Sequence, residues 1–352
     1  MRSPDNSDDR NVSYRLMQRT RRLHTAAVLG AGAWGTALAI ALARRGLQVS
    51  LWARRPDHAE AMRANNENRD RLPGSAFPLG LTPTASMSAA LGDADIVLLA
   101  VPSGATEATA AEAALHTRAG VPAVVCAKGL AKDGALLSQR VGEYWKSGPV
   151  LMLSGPSFAD EVAAGLPTIV TLAGPMPLAA YVAAQMSDGC FVVSPSKDIV
   201  GTQVAGVFKN VVATLCGVSD GLGLGANARA ALMSEGMREA ATLIVKLDGS
   251  TDTLLGPAGF GDFALTCTDS KSRNYRFGHC LAKQGAGAHA GATREGAANV
   301  DALMRLASRA DIDVPLAEAV AGLVAGRIDA RAAVAAAFNW RHDQGSQMAR
   351  TG

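Results

Sequence analysis

Short, unbroken apolar runs recur along the first part of the chain, and longer runs with helical spacing take over in the second. Thr25–Leu29 reads as a buried strand, followed by a helix rich in Ala and Leu over Ala33–Arg45 and a second strand over Gln48–Trp52. A helix around Pro56–Asn68, a loop at Arg71–Gly74 and a short helix at Ala85–Gly92 come next. Asp95–Val101, Val121–Ala127 and Val150–Leu153 are continuous apolar stretches of the kind a parallel sheet buries on both faces. Thr168–Ala173 and Phe191–Ser194 read as later strands.

From about Asp198 the strand-like runs stop. Gly201–Gly217, Ala226–Asp248, Ser272–Gln284, Asn299–Ala310, Pro315–Ala325 and Asp329–Phe338 read as helices separated by Gly and Pro, with a small-residue loop at Ala286–Ala292. The pattern predicts an α/β Rossmann-type N-terminal domain over 23–200 and an all-α C-terminal domain over 201–342, the boundary falling near 195–205. Residues 1–22 are polar and charged and read as a disordered leader.

The first strand ends in Gly30-Ala31-Gly32-Ala33-Trp34-Gly35, a Gly-x-Gly-x-x-Gly at a strand-to-helix turn. Gly30 allows the tight turn, Gly32 lets the backbone approach a pyrophosphate, and Gly35 lets helix and strand pack closely. The amides at the new helix start and the helix dipole both favour an anion there. The uncharged stretch Thr25–Ala43, preceded by Arg19, Arg21 and Arg22, also fits a signal peptide or membrane span by composition, but its three placed glycines favour the nucleotide fold. Polar and glycine residues gather at the carboxyl end of each strand: Arg54-Arg55, Pro102-Ser103, Lys128-Gly129 and Ser154–Ser157. Ligands of an open α/β sheet bind at that edge.

The 352-residue chain carries a formal net charge of +3, with no Lys/Arg block resembling a nucleic-acid arm. Its five scattered cysteines show no Cys-x-x-Cys, which argues for reduced thiols and against a zinc site.

Several polar residues interrupt apolar surroundings. Lys209-Asn210 lies within the apolar run Val204–Val212, so Lys209 is either on an exposed stripe or buried with a depressed pKa suited to proton transfer. Asp262, after Gly256–Gly261, is either a helix cap or a carboxylate that pairs with a lysine. Ser272-Arg273-Asn274 offers a hydroxyl, a guanidinium and an amide; the arginine fork suits a phosphate, and Ser272 equally suits a helix start. Arg54-Arg55 precede the first acid after the second strand, Asp57, which either leaves a solvated pair or favours the 2′-phosphate of NADP(H).

Taken in order, GAGAWGTALA at Gly30–Ala39, Val101-Pro102-Ser103, Lys128-Gly129-Leu130, SGPSFADE at Ser154–Glu161, Gly165–Thr168, Lys209-Asn210, SDGLGLGANARAA at Ser219–Ala231, GFGDFALTCTD at Gly259–Asp269, Ser272-Arg273-Asn274 and Glu295-Gly296 resemble the bacterial-type NAD(P)-dependent glycerol-3-phosphate dehydrogenases. The resemblance covers about residues 25–340. It implies reversible hydride transfer between NAD(P)H and dihydroxyacetone phosphate, giving sn-glycerol 3-phosphate for glycerophospholipid synthesis. It implies Lys209 as proton acceptor, with Lys128, Gly155, Ser157, Asp262, Ser272, Arg273 and Asn274 on the substrate. It implies Ala33, Trp34, Arg54, Lys128, Ala159, Arg273 and Glu295 on the nucleotide, beside Gly30, Gly32, Gly35 and Arg55 from the glycine turn and the second strand. The expected cofactor is NADP or NAD, and the expected setting is a cytoplasmic homodimer with no metal, nucleic-acid partner or membrane insertion. Thr293-Arg294 replace the family's usual apolar pair before Glu295, Arg69–Leu72 lack its tyrosine, and residues 1–22 have no counterpart. The competing readings are a β-hydroxyacid or ketopantoate-type reductase of similar architecture and a non-catalytic nucleotide sensor.

Overall fold

The computed structural model describes residues 22–284 and 294–338. Eight strands form one sheet: β1 (Thr25–Leu29), β2 (Gln48–Trp52), β3 (Leu81–Thr84), β4 (Ile96–Leu99), β5 (Ala123–Val125), β6 (Val150–Ser154), β7 (Thr168–Ala173) and β8 (Phe191–Ser196). Their spatial order is β3-β2-β1-β4-β5-β6-β7-β8. The first six run parallel; β7 reverses against β6, with Ser154 opposite Thr171, and β8 runs parallel to β7.

Seven helices accompany the sheet: α1 (Ala33–Arg44), α2 (Pro56–Asn65), α3 (Met87–Leu91), α4 (Ser103–Ala114), α5 (Leu137–Tyr144), α6 (Ala159–Ala164) and α7 (Met176–Met186). They lie on both faces, which explains the unbroken apolar strands. Ala26 and Val28 of β1 pack into a core shared with α1, α6 and α7, while Ala27 and Leu29 face a second core with α3, α4 and α5. With neither face wet, alternation has nothing to select it.

After β8 come α8 (Ile199–Gly221), α9 (Gly225–Lys246), a 3₁₀ turn at Thr251–Leu255, a π turn at Pro257–Gly261, α10 (Asp262–Thr268), α11 (Arg273–Gln284), α12 (Arg294–Arg309) and α13 (Pro315–Val324). A last helix, α14, covers 330–338. α8 is the axis of this half, packed by α9, α10, α11, α12 and α13, and its lower part also lies against β6. Among the described residues it is the one helix long and apolar enough to cross a membrane, and most of it is buried in the protein core.

The structure amends the sequence reading in particular places. Strand β3, Leu-Thr-Pro-Thr, carries a proline and no apolar run, yet it pairs with β2 at the sheet edge, where a missing amide is tolerated. Helix α2 stops at Asn65, short of Asn68, because Asn66 adopts a left-handed conformation (φ 49°). Helix α12 starts at Arg294 rather than Asn299. The stretch Thr25–Ala43 that could pass for a membrane span is a strand, a turn and a helix of the sheet domain. Residues 1–21 of the expected 1–22 leader, the small-residue loop and residues beyond 338 lie outside the described residues.

Candidate active site

The glycine turn is built by close backbone approach. Gly30 sits at φ +119°, and a Cβ there would lie 2.7 Å from the Ala100 carbonyl oxygen at the end of β4. A Cβ on Gly35 would come within 3.1 Å of both Ala100 Cβ and the Gly30 carbonyl carbon. Only hydrogen fits at either position. Gly32 differs: a Cβ there would meet nothing within 4 Å, so this residue faces open space. Gly32 also caps α1, whose first turn has neither a side-chain cap nor an acidic residue. The buried indole N–H of Trp34 has no acceptor among the described residues. Open space, uncapped amides and an unanswered donor together fit a dinucleotide pyrophosphate.

The turn is held from outside by Asn68. Its amide donates to the Ala31 carbonyl (3.0 Å) and the Thr36 hydroxyl (2.7 Å), and its oxygen faces His58 Nε2 at 3.0 Å. Ala159, at the start of α6, packs against the same core as Ala33 and Trp34. Arg54 follows β2, exposed and without a polar partner among the described residues; Arg55 pairs weakly with Asp57 at 3.7 Å, both exposed.

The helical half contributes charge. Asp262 opens α10 and is buried. Its Oδ1 accepts from Lys209 Nζ at 2.6 Å and its Oδ2 from Lys128 Nζ at 2.8 Å. Lys209 Nζ also donates to Thr266 Oγ1 (3.0 Å). Lys128 Nζ donates further to the Gly155 carbonyl (2.7 Å) and Ser157 Oγ (3.2 Å). One carboxylate thus joins a lysine from each half. Of the two readings left open for Lys209, the buried one holds. Burial lowers its pKa to about 8, nearby Lys128 acts in the same direction, and Asp262 opposes them. Burial works against charge on Asp262, but the two ammonium groups outweigh it and hold the carboxyl below the usual carboxylate range.

Backbone and amide contacts fix this cluster. α8 approaches β6 closely at Gly206, where a Cβ would stand 3.0 Å from Ser154 Oγ and 3.6 Å from Lys128 Cβ. Gln203 donates to the Gly129 carbonyl (3.1 Å), Asn210 to the Lys128 carbonyl (3.3 Å), and Asn299 of α12 accepts from the Leu130 amide (3.4 Å). Asn274 donates to Asn210 Oδ1 at 2.8 Å, which brings the start of α11 to the same place. Ser272 is the cap of that helix: its hydroxyl accepts from the Tyr275 amide (3.3 Å) and keeps its own proton to donate. Arg273 is exposed and has no polar partner among the described residues. Glu295 lies in α12, but its side chain is outside the described residues.

Asn68, Gln203, Thr266 and Asn299 escaped the sequence reading. Gln203 and Asn210 stand at i and i+7 in an apolar helix, with the small Gly206 between them on the same face, a spacing that was readable. Asn68, alone in a polar loop, offered no such signal.

A Rossmann-type sheet with a glycine turn at its carboxyl edge, and a buried lysine of the helical half joined through Asp262 to Lys128 at that same edge, defines the class of nicotinamide-dependent oxidoreductases. Residues 25–179 match the N-terminal and residues 198–335 the C-terminal family model of NAD-dependent glycerol-3-phosphate dehydrogenase. The chain is 43% identical over 309 residues to a glycerol-3-phosphate dehydrogenase [NAD(P)+] of Halorhodospira halophila, covering 86% of this chain and 92% of the relative. It is 42% identical over 311 residues to the enzyme of the same description from Sinorhizobium fredii, covering 87% and 93%. A crystal structure of glycerol-3-phosphate dehydrogenase from Coxiella burnetii superposes with a TM-score of 0.83 at 38% identity, covering 89% of this chain and 98% of the other. The chain belongs to the NAD-dependent glycerol-3-phosphate dehydrogenase family.

Proposed function

We propose that the family's reaction, reversible hydride transfer between NAD(P)H and dihydroxyacetone phosphate giving sn-glycerol 3-phosphate, runs in this chain over the Lys128–Asp262–Lys209 cluster. The observation that carries the reading is Lys209: buried, hydrogen-bonded at 2.6 Å to a buried carboxylate, and lowered to about 8. The nicotinamide, when bound, supplies or accepts the hydride.

In reduction, the Lys209 ammonium polarises the carbonyl and gives its proton to the oxygen as that oxygen becomes anionic; in oxidation, the free amine takes the hydroxyl proton. Asp262 holds Lys209 in place, and Lys128 brings a second positive charge to the developing oxyanion. Ser157 and the Gly155 carbonyl orient Lys128 and line the substrate's position. Arg273, lacking any partner among the described residues, takes the phosphate with Asn274 and the free proton of Ser272.

Gly30, Gly32, Ala33, Trp34 and Gly35 hold the pyrophosphate, with Ala159 and Glu295 nearby on the nucleotide, and Arg54 and Arg55 accommodate a 2′-phosphate when the cofactor is NADP. The nucleotide half is taken as 23–200 and the substrate half as 201–342. The reading carries with it a cytoplasmic homodimer making a glycerophospholipid precursor. Dihydroxyacetone phosphate reduction by the purified protein with NADH and NADPH tests the assignment. Turnover that Lys209→Ala removes while nucleotide binding persists is the expected result; no turnover by the wild type overturns it.

A further inference from the structure

At the rim of the site a second ion-pair cluster joins the two halves. Lys271, directly before Ser272, reaches across to α6, where its Nζ lies 3.0 Å from Asp160 Oδ2 and 2.7 Å from Glu161 Oε1. The same ammonium stands 5.6 Å from the centre of the Phe158 ring. All three charged side chains are exposed, in contrast to the buried cluster around Asp262. The two carboxylates fall in the first turn of α6, where a helix N-terminus favours negative charge, so they are fixed at a defined end of a short helix.

The placement of this contact matters more than its strength. On one side it follows Ser157 and Ala159, the first against Lys128 and the second against the core beside Trp34. On the other it immediately precedes Ser272-Arg273-Asn274, which caps α11 and reaches Asn210. No other described ion pair outside the buried cluster joins the sheet half to the helical half.

We propose that Lys271 is a positioning residue: a solvent-facing clasp that holds the Ser157–Ala159 turn against the Ser272–Asn274 triplet and so sets the spacing between the nucleotide and phosphate grips. This rests on the function proposed above, but the contact itself is testable apart from turnover. Because the clasp touches no reacting atom, its loss loosens binding and leaves the proton chemistry at Lys209 intact. Lys271→Arg keeps the charge and reach, Lys271→Met removes the charge, and Lys271→Glu opposes the two carboxylates. Glu161→Lys in the Lys271→Glu background restores an attractive pair with the signs exchanged.

The test is steady-state kinetics on the full chain, paired with hydrogen–deuterium exchange of the amides in 157–164 and 272–278. For Lys271→Met, KM for dihydroxyacetone phosphate is expected to rise about three- to tenfold, the scale of two exposed ion pairs and one cation–π contact, with kcat within about twofold. Lys271→Glu raises KM further, Lys271→Arg stays within about twofold of wild type, and the exchanged pair recovers most of the loss. Exchange in both amide segments speeds up in Lys271→Glu and slows again in the exchanged pair. Unchanged KM and unchanged exchange in Lys271→Glu would overturn the clasp, as would a fall in kcat at constant KM. A wild type without turnover would overturn the function, and the exchange data would still decide the clasp.

Discussion

The two sides of the proposed active site are built from different materials. The nucleotide side works with backbone: glycines that leave room, amides at a helix start, and one asparagine tying the turn in place. The substrate side works with buried charge: two lysines on one carboxylate, held by amide side chains along α8 and α12. The first is specified by what a residue lacks and leaves a compact pattern in the sequence. The second is assembled from positions 128, 209 and 262, which only the fold brings together.

The largest expected effect separates the chemistry from the scaffold. Lys209→Ala should lower kcat about 10²–10⁴-fold, the usual contribution of a positioned proton donor, while nucleotide affinity measured by fluorescence titration stays near wild type. A parallel loss of nucleotide affinity would show that the two sides are not independent. The wild-type pH profile sharpens the same point. With the Lys209 pKa lowered to about 8, the ammonium needed for reduction is lost as pH rises through that value, so reduction falls and oxidation, which needs the free amine, rises. Profiles flat across that range would remove Lys209 from the proton step.

Asp262→Asn attacks the charged side through its shared partner. It leaves two neighbouring ammonium groups without their carboxylate in a buried setting, so denaturant unfolding should show a loss of about 3–5 kcal/mol. A loss under about 1 kcal/mol would mean that solvent reaches the cluster and the Coulomb reasoning fails. Gly30→Ala attacks the backbone side. The added Cβ meets the end of β4 and the residue keeps an unfavourable positive φ, so about 1–3 kcal/mol of stability is lost together with nucleotide affinity. The smallest effect is at the cofactor's edge. Arg54→Ala should weaken NADPH about tenfold relative to NADH, the scale of a charge-assisted hydrogen bond; equal changes in both KM values would take Arg54 off the 2′-phosphate.

Legibility in the sequence followed the same divide. The strand–turn–helix around Gly30 could be read because close backbone approach confines Gly30 and Gly35 to glycine at a fixed spacing, with Gly32 between them open to a ligand. The buried strands were readable as unbroken apolar runs, whereas β3 was not, because an edge strand with proline shows neither periodicity nor bulk. Lys209 was visible as a polar interruption, but whether it faced solvent or core depended on Asp262 and Lys128, far away in the chain. Asp262 read as either cap or partner, and it turned out to open α10 and to hold both lysines. Lys271 gave no sign at all, since a lysine beside a serine in a polar loop is ordinary until the facing carboxylates are placed.

Because β7 and β8 run against the other six strands, the chain leaves the sheet at the edge opposite the glycine turn. Helix α8 must then climb the full height of the sheet to deliver its lysine. That single rod is tied at Gln203 and Gly206 to the carboxyl ends of β5 and β6 before it becomes the hub of the helical half. The height of the amine above the strand ends is therefore set by the packing of α8 against β6 and the loop after β5.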